Sequence, residues 1–123
     1  MTITRALAVA LAAFLSQSGC GTKHNPVPVP GACDASQNVS YDGQIQPLFD
    51  RYCTGCHSTA SVSRNGAPAG VDFDTYTDAS QSAAEASTRV QADTMPPPSF
   101  GATVADSDKC LLQAWVDQGA SQN

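Results

Sequence analysis

Four stretches of the chain carry an ordered pattern of apolar and polar positions. Ala6 to Leu15 is an unbroken run of ten apolar residues. Residues 43–52 place Ile45, Leu48, Phe49 and Tyr52 at i, i+3, i+4 and i+7, one stripe of a helix. Pro47 falls near its first turn, where a missing N–H costs least. Residues 75–92 are alanine-rich, with no Gly or Pro inside, and predict a second helix with a weak apolar face. Residues 106–118 put Leu111, Leu112, Trp115 and Val116 on one stripe, with Asp106 or Ser107 as N-cap and Gly119 as the stop. Between these, residues 58–74 are rich in Ser, Gly, Asn and Pro and read as loop. Pro96-Pro97-Pro98 forbids a helix over residues 93–102. No strand alternation and no internal repeat is present, so the expected fold class is all-α.

The first apolar run does not belong to the fold. Arg5 precedes it as a positive n-region, and Ser16-Gln17-Ser18-Gly19 follows with small and polar residues, the layout of a signal peptide over residues 1–19. Ten residues are too short for a bilayer, which needs about 20. Gly19-Cys20 after the run resembles a bacterial lipoprotein processing site, at which Cys20 is lipidated. Gln17 stands where that pattern favours Leu, and cleavage after Ser18 leaves Cys20 a plain cysteine. Residues 20–38 then form a tether. Its Pro26-Val27-Pro28-Val29-Pro30 alternation makes an extended, semi-rigid spacer. The expected location is outside the cytoplasm, periplasmic or on an outer surface, anchored to a membrane through lipid. The folded domain covers residues 39–123.

Composition then poses a problem. After residue 19 only Ile45, Leu48, Leu111 and Leu112 are Leu or Ile. So few large aliphatics verge on a disordered composition, yet charged residues make up just 14% of the chain. Another apolar body is needed to complete the core. The net charge of −5 argues against nucleic acid as a partner and favours a partner protein with a basic docking surface.

Cys53-Thr54-Gly55-Cys56-His57 is the strongest chemical signal. Cys-x-x-Cys-His is the attachment spacing of haem c. Thiols at i and i+3 on a helix end lie on one side, ready to form two thioethers with one porphyrin, and His57 follows as a proximal iron ligand. A zinc site needs a second ligand pair, and Cys20, Cys33, Cys110 and His24 are scattered. A thioredoxin-type motif needs a βαβ context, which is missing. A plain disulfide leaves His57 unexplained. A porphyrin would also answer the composition problem, with Ile45, Leu48, Phe49, Leu111, Leu112 and Trp115 packed about it and the haem-free chain largely unfolded.

The sixth ligand follows by elimination. Beyond the leader the chain has one methionine, Met95, and one histidine besides His57, namely His24 in the tether. A thioether is a known axial partner of haem iron, and Met95-Pro96-Pro97 is stiff enough to hold one in place. With Cys53 and Cys56 on haem and Cys20 lipidated, Cys33 and Cys110 remain as an even pair. A Cys20–Cys33 bridge with Cys110 free, or an intermolecular bond, stays open. Arg64 and Arg89 read as solvated surface residues, with a haem propionate as the alternative partner of one of them.

These stretches together resemble small class I type cytochromes c, exported by bacteria as single-haem lipoproteins. The resemblance rests on Ile45-Gln46-Pro47-Leu48-Phe49 leading to Cys53–His57, on Gly70-Val71-Asp72-Phe73-Asp74-Thr75-Tyr76 leading to Met95-Pro96-Pro97, and on Leu111-Leu112-Gln113-Ala114-Trp115-Val116-Asp117-Gln118-Gly119-Ala120. It implies an all-α fold around one covalent haem, its N- and C-terminal helices crossing beside it. It implies His57 and Met95 as axial ligands, and electron transfer to redox partner proteins without enzymatic turnover. The alternative is a small peroxidase-like haem enzyme or sensor with a labile sixth ligand.

Overall fold

Why the chain winds where it does is set mainly by its caps. The computed structural model describes Asp34 and residues 36–123; the leader, Cys20, His24, the proline tether and Cys33 lie outside the described residues. Ser40 opens the first helical segment. Its Oγ accepts from Gly43 N–H at 3.3 Å, and its own N–H donates to Gln44 Oε1 at 3.0 Å. This reciprocal capping starts a π turn over Tyr41–Ile45, two residues earlier than the apolar stripe suggested, which runs into α1 over Gln46–Tyr52. Helix α2 spans Tyr76–Gln91, capped by Thr75 Oγ1, which accepts from Asp78 N–H at 3.2 Å. A 3₁₀ turn covers Pro98–Phe100, and α3 spans Asp106–Asp117. No strand occurs among the described residues, so the fold is all-α.

One cap departs from expectation. The N-cap of α3 is Ala105, without a side-chain hydrogen bond, and neither Asp106 nor Ser107 fills that role. Asp106 and Asp108 instead sit in the first turn, where carboxylates favour the positive end of the helix dipole. At the far end Gly119 does terminate α3, with φ +83°. Gly119 N–H returns to Val116 O at 2.9 Å and Ala120 N–H to Trp115 O at 2.9 Å, a Schellman closure. The same closure ends α2, with Asp93 at φ 55° in the left-handed position and Thr94 N–H on Arg89 O at 3.0 Å.

The described residues share one buried apolar cluster. Ile45, Phe49, Leu112 and Trp115 have no exposed surface and pack in one cluster with Val39, Tyr41, Phe73, Val104 and the alanines of α2. They are buried on one another. Aromatic rings take the place of missing aliphatics. Phe49 stacks on Phe73 with centroids 4.5 Å apart, and Trp115 lies 6.1 Å from Phe49 and 5.7 Å from Tyr41. Such rings bury large areas and add edge-to-face attraction. Leu111, Val116 and Tyr52 are only partly buried against this cluster, and Ala114 joins the buried face of α3.

Small side chains let α2 approach α3 closely. Ala79, Ala83, Ser87 and Val90 form the buried face of α2, and Ser87 Oγ donates to Gln113 Oε1 at 2.8 Å. The start of the domain is clasped to its end by Gln118. Its Oε1 accepts from Val39 N–H at 3.0 Å while its Nε2 donates to Gln37 O at 2.7 Å. Both ends of the domain thus converge on α3. Cys110, on α3, is disulfide-bonded, and neither Cys53 nor Cys56 is its partner, since both are free thiols. The candidate partners Cys33 and Cys20 lie outside the described residues.

Candidate functional site

The winding of α1 continues past its C-cap, Cys53. Thr54 N–H reaches back to Phe49 O at 3.0 Å, and Cys53 O then accepts from both Cys56 N–H at 3.1 Å and His57 N–H at 2.8 Å. Cys53, Cys56 and His57 therefore share one continuous turn, the three residues that the motif predicted to act together. All three are half-buried. Burial pushes the Cys53 thiol up to about 12, so it stays protonated at neutral pH. That opposes a thioredoxin-type role, which needs a thiol of depressed pKa. Asn65 Nδ2 lies 3.4 Å from Cys56 Sγ.

His57 is held from three sides. Its Nδ1 sits 2.9 Å from Val71 O. A carbonyl only accepts, so Nδ1 carries the proton and Nε2 presents its lone pair. Its backbone carbonyl accepts Phe73 N–H at 3.0 Å, and its ring meets the Phe73 ring edge-on at 5.5 Å. Phe73 in turn stacks on Phe49 of α1. This is how a metal-ligating histidine is usually prepared, with the second nitrogen fixed by a backbone acceptor.

The loop that provides Val71 is organised around Arg64, which the sequence pattern places on the solvated surface or against a propionate. Arg64 forms a half-buried ion pair with Asp72 at 2.6 Å and donates to the carbonyls of Ser58, Ala67, Pro68 and Val71. It is neither a solvated surface residue nor free for a propionate. The signal that could have found it is a cation inside a Gly/Ser/Pro loop, eight residues before an aspartate. Arg89, by contrast, is exposed and pairs with Glu85 one turn away. On the outer side of the motif, Asp74 accepts from Thr59 N–H at 2.7 Å. Hydrogen bonding from Ser58 and Thr59 holds its carboxyl below the usual aspartate value.

Met95 lies on a different segment. The closure at the end of α2 launches it, with Met95 N–H on Arg89 O at 3.3 Å, and the Met95–Pro96 peptide is cis. Met95 is half-buried and lines an open groove of about 460 Å³ with Pro96, Val104 and Lys109. That groove includes neither cysteine nor His57. The structure thus unites Cys53, Cys56 and His57 and leaves Met95 on a separate groove, lined by residues of the 93–104 connection and by Asp106 and Lys109 of α3. Among the described residues no cluster of three or more His, Cys, Asp or Glu could hold a metal ion, so a zinc centre has no ligand set there. No described helix is long and apolar enough to cross a membrane.

No protein-family model matches the chain, and neither a curated protein nor a solved structure does.

Proposed function

We propose that the chain carries one covalent haem on the 53–57 turn and acts as a one-electron carrier, a single-haem cytochrome c. One observation carries this reading: two free thiols and an imidazole share a single helical turn, and the imidazole has its Nδ1 proton tied to Val71 O and its Nε2 free. That donor set fits a c-type haem. Cys53 and Cys56 supply the two thioether links, and His57 Nε2 supplies the proximal ligand. Met95, the remaining methionine, supplies a thioether from a segment stiffened by three prolines. When bound, the haem would supply one-electron chemistry at a single iron, with Cys53, Cys56, His57 and Met95 as the residues that would hold it. The residues' task is to hold that coordination unchanged between states, and the Val71, Phe73 and Phe49 backing of His57 serves that task.

The charge distribution supports a basic partner. All four cations of residues 36–123 are spent in ion pairs, Arg51–Asp108, Arg64–Asp72, Arg89–Glu85 and Lys109–Asp93. Asp42, Asp50, Asp106 and Asp117 are left without a cation and are exposed. With the signal-peptide layout and Cys20, the reading is an exported carrier held to a membrane by lipid and docking on basic redox proteins.

The test is spectroscopic. The isolated protein, purified from a host that attaches haem c, should give a pyridine haemochrome of a doubly thioether-linked haem. Its ferric form should be low-spin with a methionine–iron charge-transfer band, and both features should be lost in Met95→Ala. Absence of covalent haem overturns the reading. A high-spin ferric spectrum that shifts with cyanide or peroxide overturns the carrier assignment in favour of an enzyme or sensor.

A further inference from the structure

One carbonyl oxygen in the loop after the motif takes two donors. Val71 O accepts the His57 Nδ1 proton at 2.9 Å and also an Arg64 Nη2 proton at 3.2 Å. The first donor is an imidazole and the second a guanidinium cation. Arg64 itself is held in place, because Nη1 is fixed by Asp72 Oδ1 at 2.6 Å and Ser58 O at 2.8 Å, while Nη2 also reaches Pro68 O at 2.6 Å. The Val71 carbonyl does not depend on Arg64 alone for its position. Phe73 N–H on His57 O, and Val71 N–H on Pro68 O at 3.3 Å, hold the same stretch.

We propose that Arg64 is a positioning residue that sets the donor strength of His57 through the shared Val71 carbonyl. The inference rests on the reading of His57 as the proximal iron ligand. A carbonyl oxygen with two lone pairs can serve both donors, but the guanidinium withdraws density from it and weakens its pull on the imidazole proton. An imidazole that keeps its Nδ1 proton firmly is the weaker donor at Nε2. Outer-shell hydrogen bonds raise ligand basicity, and they are among the levers that tune haem centres. With Arg64 in place the ferric state is therefore less favoured, and the reduction potential stands higher, than with the carbonyl left to His57 alone.

Two substitutions separate this from simpler accounts. Arg64→Gln removes the cation and its fork. Arg64→Lys keeps a charge able to pair with Asp72, but its point charge lacks the planar fork that reaches Val71 together with the other acceptors. In the full-length haem-loaded protein, both variants should shift the one-electron equilibrium towards the ferric form by about tenfold, or about 59 mV. Thermal stability should divide differently, with the Lys variant retaining more of it through Asp72. If Lys restores the wild-type potential, the effect is only that of a nearby charge and the proposal is overturned. If neither variant moves the potential, Arg64 is a loop clamp and nothing more. Should both variants fail to retain haem, the reduced wild-type protein decides by NMR. The His57 Nδ1 and Arg64 Nη2 protons should exchange slowly and show a mutual Overhauser effect, and absence of both features overturns the proposal. A wild type lacking covalent haem instead sinks the site reading itself, a failure that the haemochrome assay identifies on its own.

Discussion

Tyr41 is 2% exposed, yet its hydroxyl has no hydrogen-bond partner among the described residues. Its ring is well used, edge-on to Tyr76 at 5.2 Å and tilted against Trp115 at 5.7 Å. Tyr41→Phe keeps those ring contacts and deletes the orphaned oxygen. An unsatisfied buried polar group costs ~1–3 kcal/mol, and the void left by one oxygen offsets part of that gain. The expected net effect is a stabilisation of about 1 kcal/mol, or ~4–8 °C in Tm for a domain of this size. A second signature lies at high pH. Desolvation, then the carboxylates of Asp50, Asp42, Asp78 and Asp74, raise the Tyr41 pKa above its ordinary 10.0. The folded state thus holds the phenolic proton more tightly than the unfolded chain does. Above pH 10 the native form binds more protons, so its stability falls as pH rises towards the folded pKa. Tyr41→Phe removes that loss, and its advantage over wild type should widen above pH 10. Urea unfolding of the full chain at neutral and alkaline pH measures both effects. A variant less stable than wild type at neutral pH refutes the reasoning, since it means that the hydroxyl is bonded within the fold.

Two further substitutions probe the scaffold. Gly119→Ala places a Cβ 4.0 Å from Ser121 Oγ, an ordinary contact, so any penalty comes from the backbone at φ +83°. A loss of ~1–2 kcal/mol is expected, read as a lower urea midpoint with unchanged m-value. Asp74→Asn tests the exposed carboxylate whose pKa is lowered by Ser58 and Thr59. Its contribution is present above the unfolded value of 3.8 and lost as pH falls through the folded pKa. The variant's acid unfolding curve should therefore show a smaller stability gain than wild type as pH rises past that window, and superimposable curves count against the assigned bonds.

The helices were legible because their signals are local. Stripe spacing at Ile45, Leu48 and Phe49, the absence of Gly and Pro over residues 75–92, and Gly119 as a stop each act within a turn or two. The start at Tyr41 was not, since the Ser40–Gln44 cap opens a π turn ahead of the apolar stripe, nor was Ala105 as the cap of α3, since it offers no side-chain acceptor to read. The shared turn of Cys53, Cys56 and His57 followed from motif spacing alone. The clasp of Gln118 on Val39 spans 79 residues, and no periodicity reports a contact of that range. Arg64 escaped for a related reason. Most of its acceptors are backbone carbonyls, which every residue carries and no sequence pattern marks.

The chain has a small core and fixes its site by other means. His57 and Met95 both follow directly on helix C-termini, four residues past Cys53 and three past Ala92. At a helix C-terminus the last carbonyls lack partners, and here they are used: Phe49 O takes Cys53 and Thr54, and Arg89 O takes Thr94 and Met95. Each closure aims the following segment without adding apolar contacts. Beyond them, a guanidinium ties the 58–74 loop through carbonyls and one carboxylate. Hydrogen bonds to charged groups contribute roughly 1.5–3 kcal/mol each, against about 1 kcal/mol for neutral ones. A domain poor in Leu and Ile can thus hold an imidazole in a fixed tautomer through polar geometry. For the same reason, substitutions at Arg64 or Asp72 should perturb the site more than equal-sized changes in the partly exposed apolar residues Leu111 and Val116.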